Sequence, residues 1–305
     1  MSTERSAVEP ELQRLQQLLV RMAALSEENI RLAVDALRRR DSVRLEEAVA
    51  ADTVVDLTEL EIDELRVHRG KTRILDIEGL TFPGGTTSVL LGPPGAGKTL
   101  LFFCLNRLVE EVEGLKATGR ICLGDEDISS IEPVTGLRRR IAYIPPQAPA
   151  FPGTVLQNLC YGLAAQGLSG EEDQRRRIQE TLAPVGLWEI FQEWRERDAT
   201  RLGPPDQGLV AIARALVLSP SVLLLDEPVL GMEHSGGRRI EELVRNLEGR
   251  MTVLWATRNA RQAARVGKYA VFVKSGRVVE SGSVSGLFTA PMRRETEDYL
   301  LGRNP

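Results

Sequence analysis

The sequence predicts an α/β fold in which helices cover both faces of a parallel sheet, with an α-helical hairpin ahead of it. Short apolar runs of the strand type alternate with helical segments from residue 65 onwards, a pattern typical of parallel sheets buried on both faces. A glycine-rich loop joins one of these runs directly to a helix-compatible segment. Leucines spaced three and four residues apart mark an amphipathic helix near the N-terminus.

The composition is compatible with one large or two ordinary domains. The chain has 305 residues, of which 42% are hydrophobic and 5% are aromatic. The net charge of −4 is unevenly spread, because residues 1–64 carry 15 acidic and 8 basic side chains. This charge gives no case for non-specific nucleic-acid binding, and no apolar run reaches the length of a membrane span. We therefore expect a soluble cytoplasmic protein with a separate acidic domain at residues 1–64.

The acidic domain is predicted to be a hairpin of two helices. The first covers residues 9–40, and the second follows after a short break and runs to about Glu64. The second helix places Asp52 and Asp56 four residues apart on one face. Such a pair is more often a solvated acidic face than a metal site, and both interpretations stay open.

The alternation from Leu65 onwards predicts the strands of the sheet. Apolar residues at every second position indicate strands at 65–70 and 74–82, and a Gly84–Gly85 turn precedes the central strand at 88–91. Residues 148–220 are polar and helix-rich, which predicts a helical subdomain. The remaining strands are predicted at 120–123, 140–144, 222–226 and 252–257, with a final hairpin at 269–282 that closes the sheet.

The glycine-rich loop fits the pattern G-x-x-x-x-G-K-[ST] from Gly92 to Thr99. Glycines allow the backbone to wrap around an anion, and successive N–H groups at a helix N-terminus point into the phosphates. Lys98 can reach the terminal phosphates and Thr99 can offer its hydroxyl to Mg²⁺. This predicts a P-loop NTPase that takes ATP and Mg²⁺. The predicted nucleotide-binding residues are Gly92, Pro93, Pro94, Gly95, Ala96, Gly97, Lys98, Thr99 and Leu100.

A second part of the site is predicted at the end of the apolar strand 222–226. Asp226 can hold the Mg²⁺ that Thr99 contacts, and Glu227 can polarise an attacking water. The alternative is a structural pair of carboxylates at a strand end, which we consider less consistent with a P-loop upstream.

Residues 65–305 resemble the ATP-binding cassette, and in particular the ATPase subunits of bacterial phosphate importers. Residues 1–64 resemble half of a repeat of the PhoU-like regulators of phosphate uptake, through Ala36–Asp41 and Asp52–Glu61, without the third helix of that repeat. The resemblance implies transmembrane permease subunits and a second ATPase subunit as partners, and a peripheral position on the inner face of the cell membrane. The cassette resemblance rests on Cys104–Arg107, Gly124–Ile128, Leu137–Arg140, Ala211–Leu216, Gln262–Val266 and Glu295–Arg303.

The resemblance adds three residues to the site. Arg69 aligns with the aromatic residue that stacks on adenine, and Arg258 aligns with the switch histidine. Gln147 stands one place later than the glutamine of the Q-loop, which reaches Mg²⁺. The resemblance therefore implies Arg69 for nucleotide binding, Gln147 with Thr99 and Asp226 for the metal, and Glu227, Arg258 and Gln147 for catalysis.

One family motif is changed. The signature Leu-Ser-Gly-Gly-Gln, which contacts the ATP bound to the partner subunit, aligns with Leu202–Asp206. Gly203 has no hydroxyl, and Pro204 and Pro205 have no N–H to donate. We expect Mg·ATP binding with poor hydrolysis by a homodimer.

Two functions remain open from the sequence. The chain is an importer ATPase, alone or paired with an intact ATPase subunit, or it is an ATP-binding regulator or adaptor of phosphate uptake. A cassette ATPase of DNA repair or translation is disfavoured, since the sequence has no basic stripe or zinc motif.

Overall fold

The computed structural model describes residues 58–232 and 234–303. The chain divides into two units, Met1–Val55 and Asp56–Pro305, and every element given below belongs to the second. The predicted hairpin, with Asp52 and Asp56, lies outside the described residues apart from its last positions. Its resemblance to PhoU-like proteins stays a prediction.

The described residues form ten strands in two sheets. The strands are β1 (Leu60–Arg69), β2 (Thr72–Phe82), β3 (Thr87–Leu91), β4 (Leu115–Leu123), β5 (Glu126–Asp127), β6 (Ile141–Ile144), β7 (Val222–Asp226), β8 (Thr252–Thr257), β9 (Tyr269–Lys274) and β10 (Arg277–Ser283).

The larger sheet has the strand order β10–β9–β3–β8–β7–β6. Its strands are parallel except β10, which returns antiparallel to β9. Every residue of β3, β7 and β8 is buried, which confirms the predicted parallel sheet and the closing hairpin. Because β3, β8 and β7 are parallel neighbours, their C-terminal ends lie at one edge of the sheet.

The smaller sheet is antiparallel, with the order β2–β1–β4–β5, and the sequence did not predict it as a separate layer. The predicted helix up to Glu64 is wrong over its last five residues, because β1 begins at Leu60. Leu60 and Ile62 are buried and alternate with the exposed Glu61 and Asp63, a period that belongs to a strand. Pairing with both β2 and β4 fixes this segment in the sheet.

Helices surround the larger sheet, and those predicted within 148–220 are α3 to α6. In the part of the chain that the structure describes, no helix combines the length and apolar character that a membrane crossing needs. The helices are α1 (Lys98–Leu105), α2 (Val134–Arg140), α3 (Val155–Ala165), α4 (Glu171–Leu182), α5 (Trp188–Trp194), α6 (Pro204–Leu216), α7 (His234–Asn246), α8 (Ala260–Val266), α9 (Val284–Thr289) and α10 (Arg294–Leu300).

The strands of the larger sheet divide the core of the described residues into two layers. Val89 and Leu91 point into the layer shared with α3 to α8, whereas Leu90 points into the layer shared with α1 and the antiparallel sheet. Alternate residues of a strand face opposite sides, so a strand that is buried along its whole length, such as β3, supplies both layers. Because β3 is packed on both of its faces, the position of the loop that follows it is fixed.

Candidate functional site

The loop between β3 and α1 follows the sheet edge closely, and its glycines make this possible. A Cβ atom at Gly92 would lie only 2.2 Å from the carbonyl oxygen of Val273, so no other residue fits there without a shift of the backbone. Gly97 caps α1 with φ 106°, a region that side chains rarely adopt. The N–H of Gly276 donates to the carbonyl of Ala96 and ties the loop to the β9–β10 turn.

Lys98 is the first residue of α1, and its side chain folds back onto the loop. Its Nζ donates to the carbonyl oxygens of Gly92 at 2.7 Å and Pro93 at 3.1 Å, and it lies 3.7 Å from Oε1 of Glu227. Burial lowers the pKa of the Lys98 ammonium, and the carboxylate of Glu227 counters part of that shift. The structure thus brings Lys98, which is predicted to reach the terminal phosphates, close to Glu227, which is predicted to polarise an attacking water.

Thr99 and Asp226, which are predicted to share a Mg²⁺ ion, contact each other directly. The Thr99 hydroxyl donates to Oδ2 of Asp226 at 2.7 Å. Asp226 is fully buried, and its Oδ1 has no hydrogen-bond partner among the described residues. A buried carboxylate oxygen without a donor, next to a hydroxyl, is the type of oxygen pair that Mg²⁺ takes. These residues therefore fit the magnesium ion that the pattern predicts.

Tyr143 belongs to the same group and was not predicted. Its hydroxyl donates to Oδ2 of Asp226 at 3.1 Å. Burial raises the pKa of Tyr143, and the Asp226 carboxylate adds to the shift, so the phenol remains a donor. Tyr143 lies on β6 opposite Leu224 of β7. The sequence carries no signal for this contact, because it depends on which strand lies beside β7.

Glu227 follows directly in the left-handed region, with φ 46°. Its side chain is 18% exposed. Burial raises the pKa of Glu227, while the Lys98 ammonium and the neighbouring Arg258 oppose that shift. A carboxylate with a raised pKa beside the glycine-rich loop is suited to accept a proton from water.

The other predicted site residues are spread more widely. The side chain of Arg258 is exposed, and its charge acts on the pKa of Glu227. Arg69 is exposed at the end of β1, two residues beyond Val67, which pairs with Leu75 of β2. A methyl group at Gly97 would lie 3.1 Å from Leu75 Cδ1, which places this end of β1 on the loop side of the sheet.

Gln147 makes no hydrogen bond to the other predicted metal ligands among the described residues. It is exposed with φ 52°. It lines a cleft of about 330 Å³ together with Pro204, Gly208 and Gly231. Its role as a metal ligand stays a prediction.

The segment Leu202–Asp206 forms the start of α6. Gly203 caps the helix, and Pro204 and Pro205 occupy its first turn. The N–H groups of Asp206 and Gln207 both donate to the carbonyl of Gly203. Asp206 also pairs with Arg239 at 3.0 Å. The first turn therefore offers few N–H donors to an anion and carries a carboxylate of its own.

The fold and the site together define a P-loop protein of the cassette type, with a helical subdomain inserted between β6 and β7. The sequence pattern of the ABC transporter family matches residues 75–230. The chain is 34% identical over 250 residues to the phosphate import ATP-binding protein PstB 1 of Vibrio vulnificus, covering 81% of this chain and 92% of that protein. It is 35% identical over 247 residues to PstB 2 of Aliivibrio fischeri, with 81% and 91% covered. The chain belongs to the ABC transporter ATP-binding family.

Solved structures agree with this assignment. CbiO1 of Clostridium perfringens, part of the ABC transporter complex cbiONQ, shares 25% identity at a TM-score of 0.66, covering 80% of this chain and 96% of that one. The ADP conformation of MJ1267, an ATP-binding cassette of an ABC transporter, superposes with the same TM-score at 20% identity, covering 80% and 99%. The second likeness shows the shared fold alone.

Proposed function

We propose that the chain is the ATP-binding subunit of an ABC-type phosphate importer, in which binding and hydrolysis of Mg·ATP drive phosphate uptake. ATP binding is supported by two contacts beside the glycine-rich loop, one between Lys98 and Glu227 and one between Thr99 and Asp226. Phosphate as the cargo is supported by the identity with phosphate import ATP-binding proteins. In this function the partners are permease subunits and a second ATPase subunit, and the chain sits on the inner face of the membrane.

The site residues have distinct roles in this proposal. The loop N–H groups and Lys98 bind the phosphates, and Arg69 lies beside the base. Thr99 and Asp226 hold Mg²⁺, which would screen the charge of the phosphates. Glu227 accepts the proton of the attacking water, and Arg258 takes the place of the family's switch residue. Gln147 belongs to this set through the family resemblance.

We infer further that hydrolysis by a homodimer is weak. Gly203, Pro204 and Pro205 lack donors that the family signature supplies to the partner's ATP. Each such hydrogen bond to a charged acceptor contributes about 1.5–3 kcal/mol, and about 1.4 kcal/mol is a tenfold change in rate. A partner ATPase with an intact signature would complete the site formed by this chain's own loop.

The same segment favours a second candidate, an ATP-binding regulator or adaptor of phosphate uptake with little or no hydrolysis. Steady ATP hydrolysis by the chain copurified with its permease, stimulated by phosphate, would support the importer ATPase. Tight ATP binding without turnover in that complex would support the regulator.

The first test is a titration with a fluorescent ATP analogue in the presence of Mg²⁺. We expect saturable binding by the wild type and by Lys116→Ala, which removes an exposed lysine on β4. Lys98→Ala should weaken binding at least about 100-fold, since it removes a charge-assisted contact to the phosphates. Absence of saturable binding, or equal affinity of the Lys98→Ala protein, would contradict the proposal.

A further inference from the structure

Tyr143, on the edge strand β6, contacts both parts of the site. Its hydroxyl donates to Oδ2 of Asp226 at 3.1 Å. Its ring meets the rings of Phe102 and Phe103 edge-on, with centroids 6.3 and 5.7 Å apart. Both phenylalanines belong to α1, the helix that begins at Lys98. The phenol therefore links the helix that follows the glycine-rich loop to the buried carboxylate at the end of β7.

The pairing of β6 with β7 determines where this hydroxyl lies. Tyr143 is opposite Leu224 in the parallel pair. Asp226 follows Leu224 by two residues, so its side chain leaves β7 on the same face of the sheet. The Tyr143 ring packs into the layer shared with α1, in which Leu224 is buried, and its edge-to-face contacts favour one orientation. The ring is therefore held by packing that does not depend on its hydroxyl.

The two carboxylate oxygens of Asp226 have different partners. Oδ2 accepts hydrogen bonds from Thr99 at 2.7 Å and from Tyr143 at 3.1 Å. Oδ1 is buried and has no hydrogen-bond partner among the described residues. Because the two donors come from different elements, α1 and β6, rotation of the carboxylate would break both bonds. These contacts keep Oδ1 as the oxygen that is free for a cation.

We propose that Tyr143 is a positioning residue for magnesium binding, acting through the carboxylate of Asp226. This inference rests on the proposed function, in which Thr99 and Asp226 hold Mg²⁺. Hydrogen bonds to a metal-binding carboxylate fix its orientation, and their loss lowers metal affinity by about 10- to 100-fold. Tyr143 is not itself a ligand in this role, since its hydroxyl donates to Oδ2.

The test measures how strongly nucleotide binding depends on Mg²⁺. The affinity of the full chain for the fluorescent ATP analogue is determined with Mg²⁺ and with EDTA, and the ratio of the two affinities is compared between variants. Tyr143→Phe removes the hydroxyl and keeps the ring. Tyr161→Phe is the matched control, because Tyr161 also packs against a phenylalanine ring but lies on α3.

We expect the ratio to fall about tenfold in Tyr143→Phe and to keep its wild-type value in Tyr161→Phe. General loosening of the fold would weaken binding equally with Mg²⁺ and with EDTA, and would leave the ratio unchanged. An unchanged or larger ratio in Tyr143→Phe, or an equal fall in Tyr161→Phe, would therefore overturn the inference.

A double-mutant cycle tests the contact without nucleotide. Urea unfolding of the metal-free chain is measured for Tyr143→Phe, Asp226→Ala and the double variant. We expect Tyr143→Phe to reduce the folding equilibrium constant about tenfold more when Asp226 is present, the factor for a hydrogen bond to a charged group. Additive effects would overturn the inference. A wild type that binds the analogue neither with Mg²⁺ nor with EDTA would overturn the proposed function and the magnesium role with it, whereas an unchanged ratio in Tyr143→Phe overturns the inference alone.

Discussion

Two adjacent carboxylates at the end of β7 have different surroundings. Asp226 accepts hydrogen bonds from Thr99 and Tyr143, whereas Glu227 lies 3.7 Å from the Lys98 ammonium and is also influenced by the charge of Arg258. For Glu227, burial outweighs these favourable contacts, so its ionised form is disfavoured in the folded protein. A site residue placed in this way lowers the stability of the fold that carries it.

Replacing Glu227 with glutamine should therefore stabilise the protein. The folded-state pKa of Glu227 is raised above its unfolded value, so its unfavourable contribution is fully present above the folded-state pKa. That contribution fades as the pH falls through the folded and then the unfolded value. We expect Glu227→Gln to raise the unfolding midpoint by about 2 °C at pH 8, and by less at pH 4. Thermal unfolding checks this, with the exposed Glu180→Gln as control; a lower midpoint than wild type at pH 8 would contradict it.

The sequence predicted some residues of the site and missed others for a physical reason. Lys98, Thr99, Asp226 and Glu227 follow from local patterns, because a loop or strand end determines where each side chain points. Tyr143 could not be predicted, since its contact with Asp226 depends on which strand lies beside β7.

Helices α6 and α7 fit together through a proline ring and a glycine. A Cβ atom at Gly236 would lie 2.4 Å from Cγ of Pro205, which is closer than real contacts allow. At Gly237, the next residue of α7, a Cβ atom would meet Val229 at 3.6 Å, an ordinary contact. The altered segment at the start of α6 is thus matched by the absence of a side chain at one position of α7.

This packing predicts opposite effects for two neighbouring substitutions. Gly236→Ala should destabilise the protein by about 1–3 kcal/mol through overpacking. Gly237→Ala should stabilise it by up to about 1 kcal/mol, because alanine is the better helix former. Removing the ring with Pro205→Gly should make Gly236→Ala favourable as well, which a double-mutant cycle of urea unfolding measures. Additive effects of Pro205→Gly and Gly236→Ala would show that the ring does not set the preference.

Helices α7 and α8 are joined by a buried carboxylate. Glu241 accepts hydrogen bonds from Arg265 at 2.9 and 2.6 Å and from Gln262 at 3.3 Å. The hydrogen bonds from Arg265 lower the pKa of Glu241, against burial and with help from Gln262. Because Gln262 also bonds Thr257, this carboxylate helps to fix the loop that contains Arg258.

The depressed pKa of Glu241 predicts a pH-dependent cost of Glu241→Gln. A carboxylate whose pKa is lower in the folded than in the unfolded state stabilises the protein at every pH above its unfolded-state pKa. This contribution disappears as the pH falls through its folded-state pKa. We expect Glu241→Gln to cost about 1–3 kcal/mol at pH 7, and progressively less below the ordinary glutamate value of 4.5. Urea unfolding at pH 7 and at pH 3 checks this, with substitution of the exposed neighbour, Glu242→Gln, as control. A cost that is equal at pH 7 and pH 3 would exclude the ionised contact.

Most strands and the helical subdomain at residues 148–220 could be predicted from the sequence. Apolar runs such as Val222–Leu225 in β7 and Val253–Ala256 in β8 are typical of buried strands. The start of β1 was missed because the acidic residues between Leu60 and Leu65 also fit one face of a helix. Pairing with β2 and β4 decides between the two, and pairing between distant segments is not visible in one sequence.

The residues predicted to bind the chain's own ATP match the family pattern, whereas the signature segment at the start of α6 departs from it. Lys98 and Thr99 at the start of α1 contact Glu227 and Asp226 at the end of β7, beside the chain's own glycine-rich loop. The segment that aligns with the family signature instead has two prolines in its first turn and a carboxylate paired with Arg239. We expect the chain to bind Mg·ATP as a monomer and to form no stable ATP-bound homodimer.

Restoring the signature should change this behaviour. The combined substitutions Gly203→Ser, Pro204→Gly, Pro205→Gly and Asp206→Gln replace the missing hydroxyl and N–H donors. We expect the restored chain, with Glu227→Gln added to slow hydrolysis, to sediment as a dimer when Mg·ATP is present. With Glu227 retained, its ATP turnover should rise at least about tenfold over the wild type, the effect of about 1.4 kcal/mol. Adding Lys98→Ala to the restored chain should abolish both effects, because the loop can then no longer hold the phosphates. Two outcomes would contradict the view that Leu202–Asp206 limits hydrolysis. The first is ATP-dependent dimerisation of the Glu227→Gln variant without the restored signature. The second is a wild-type turnover equal to that of the restored chain.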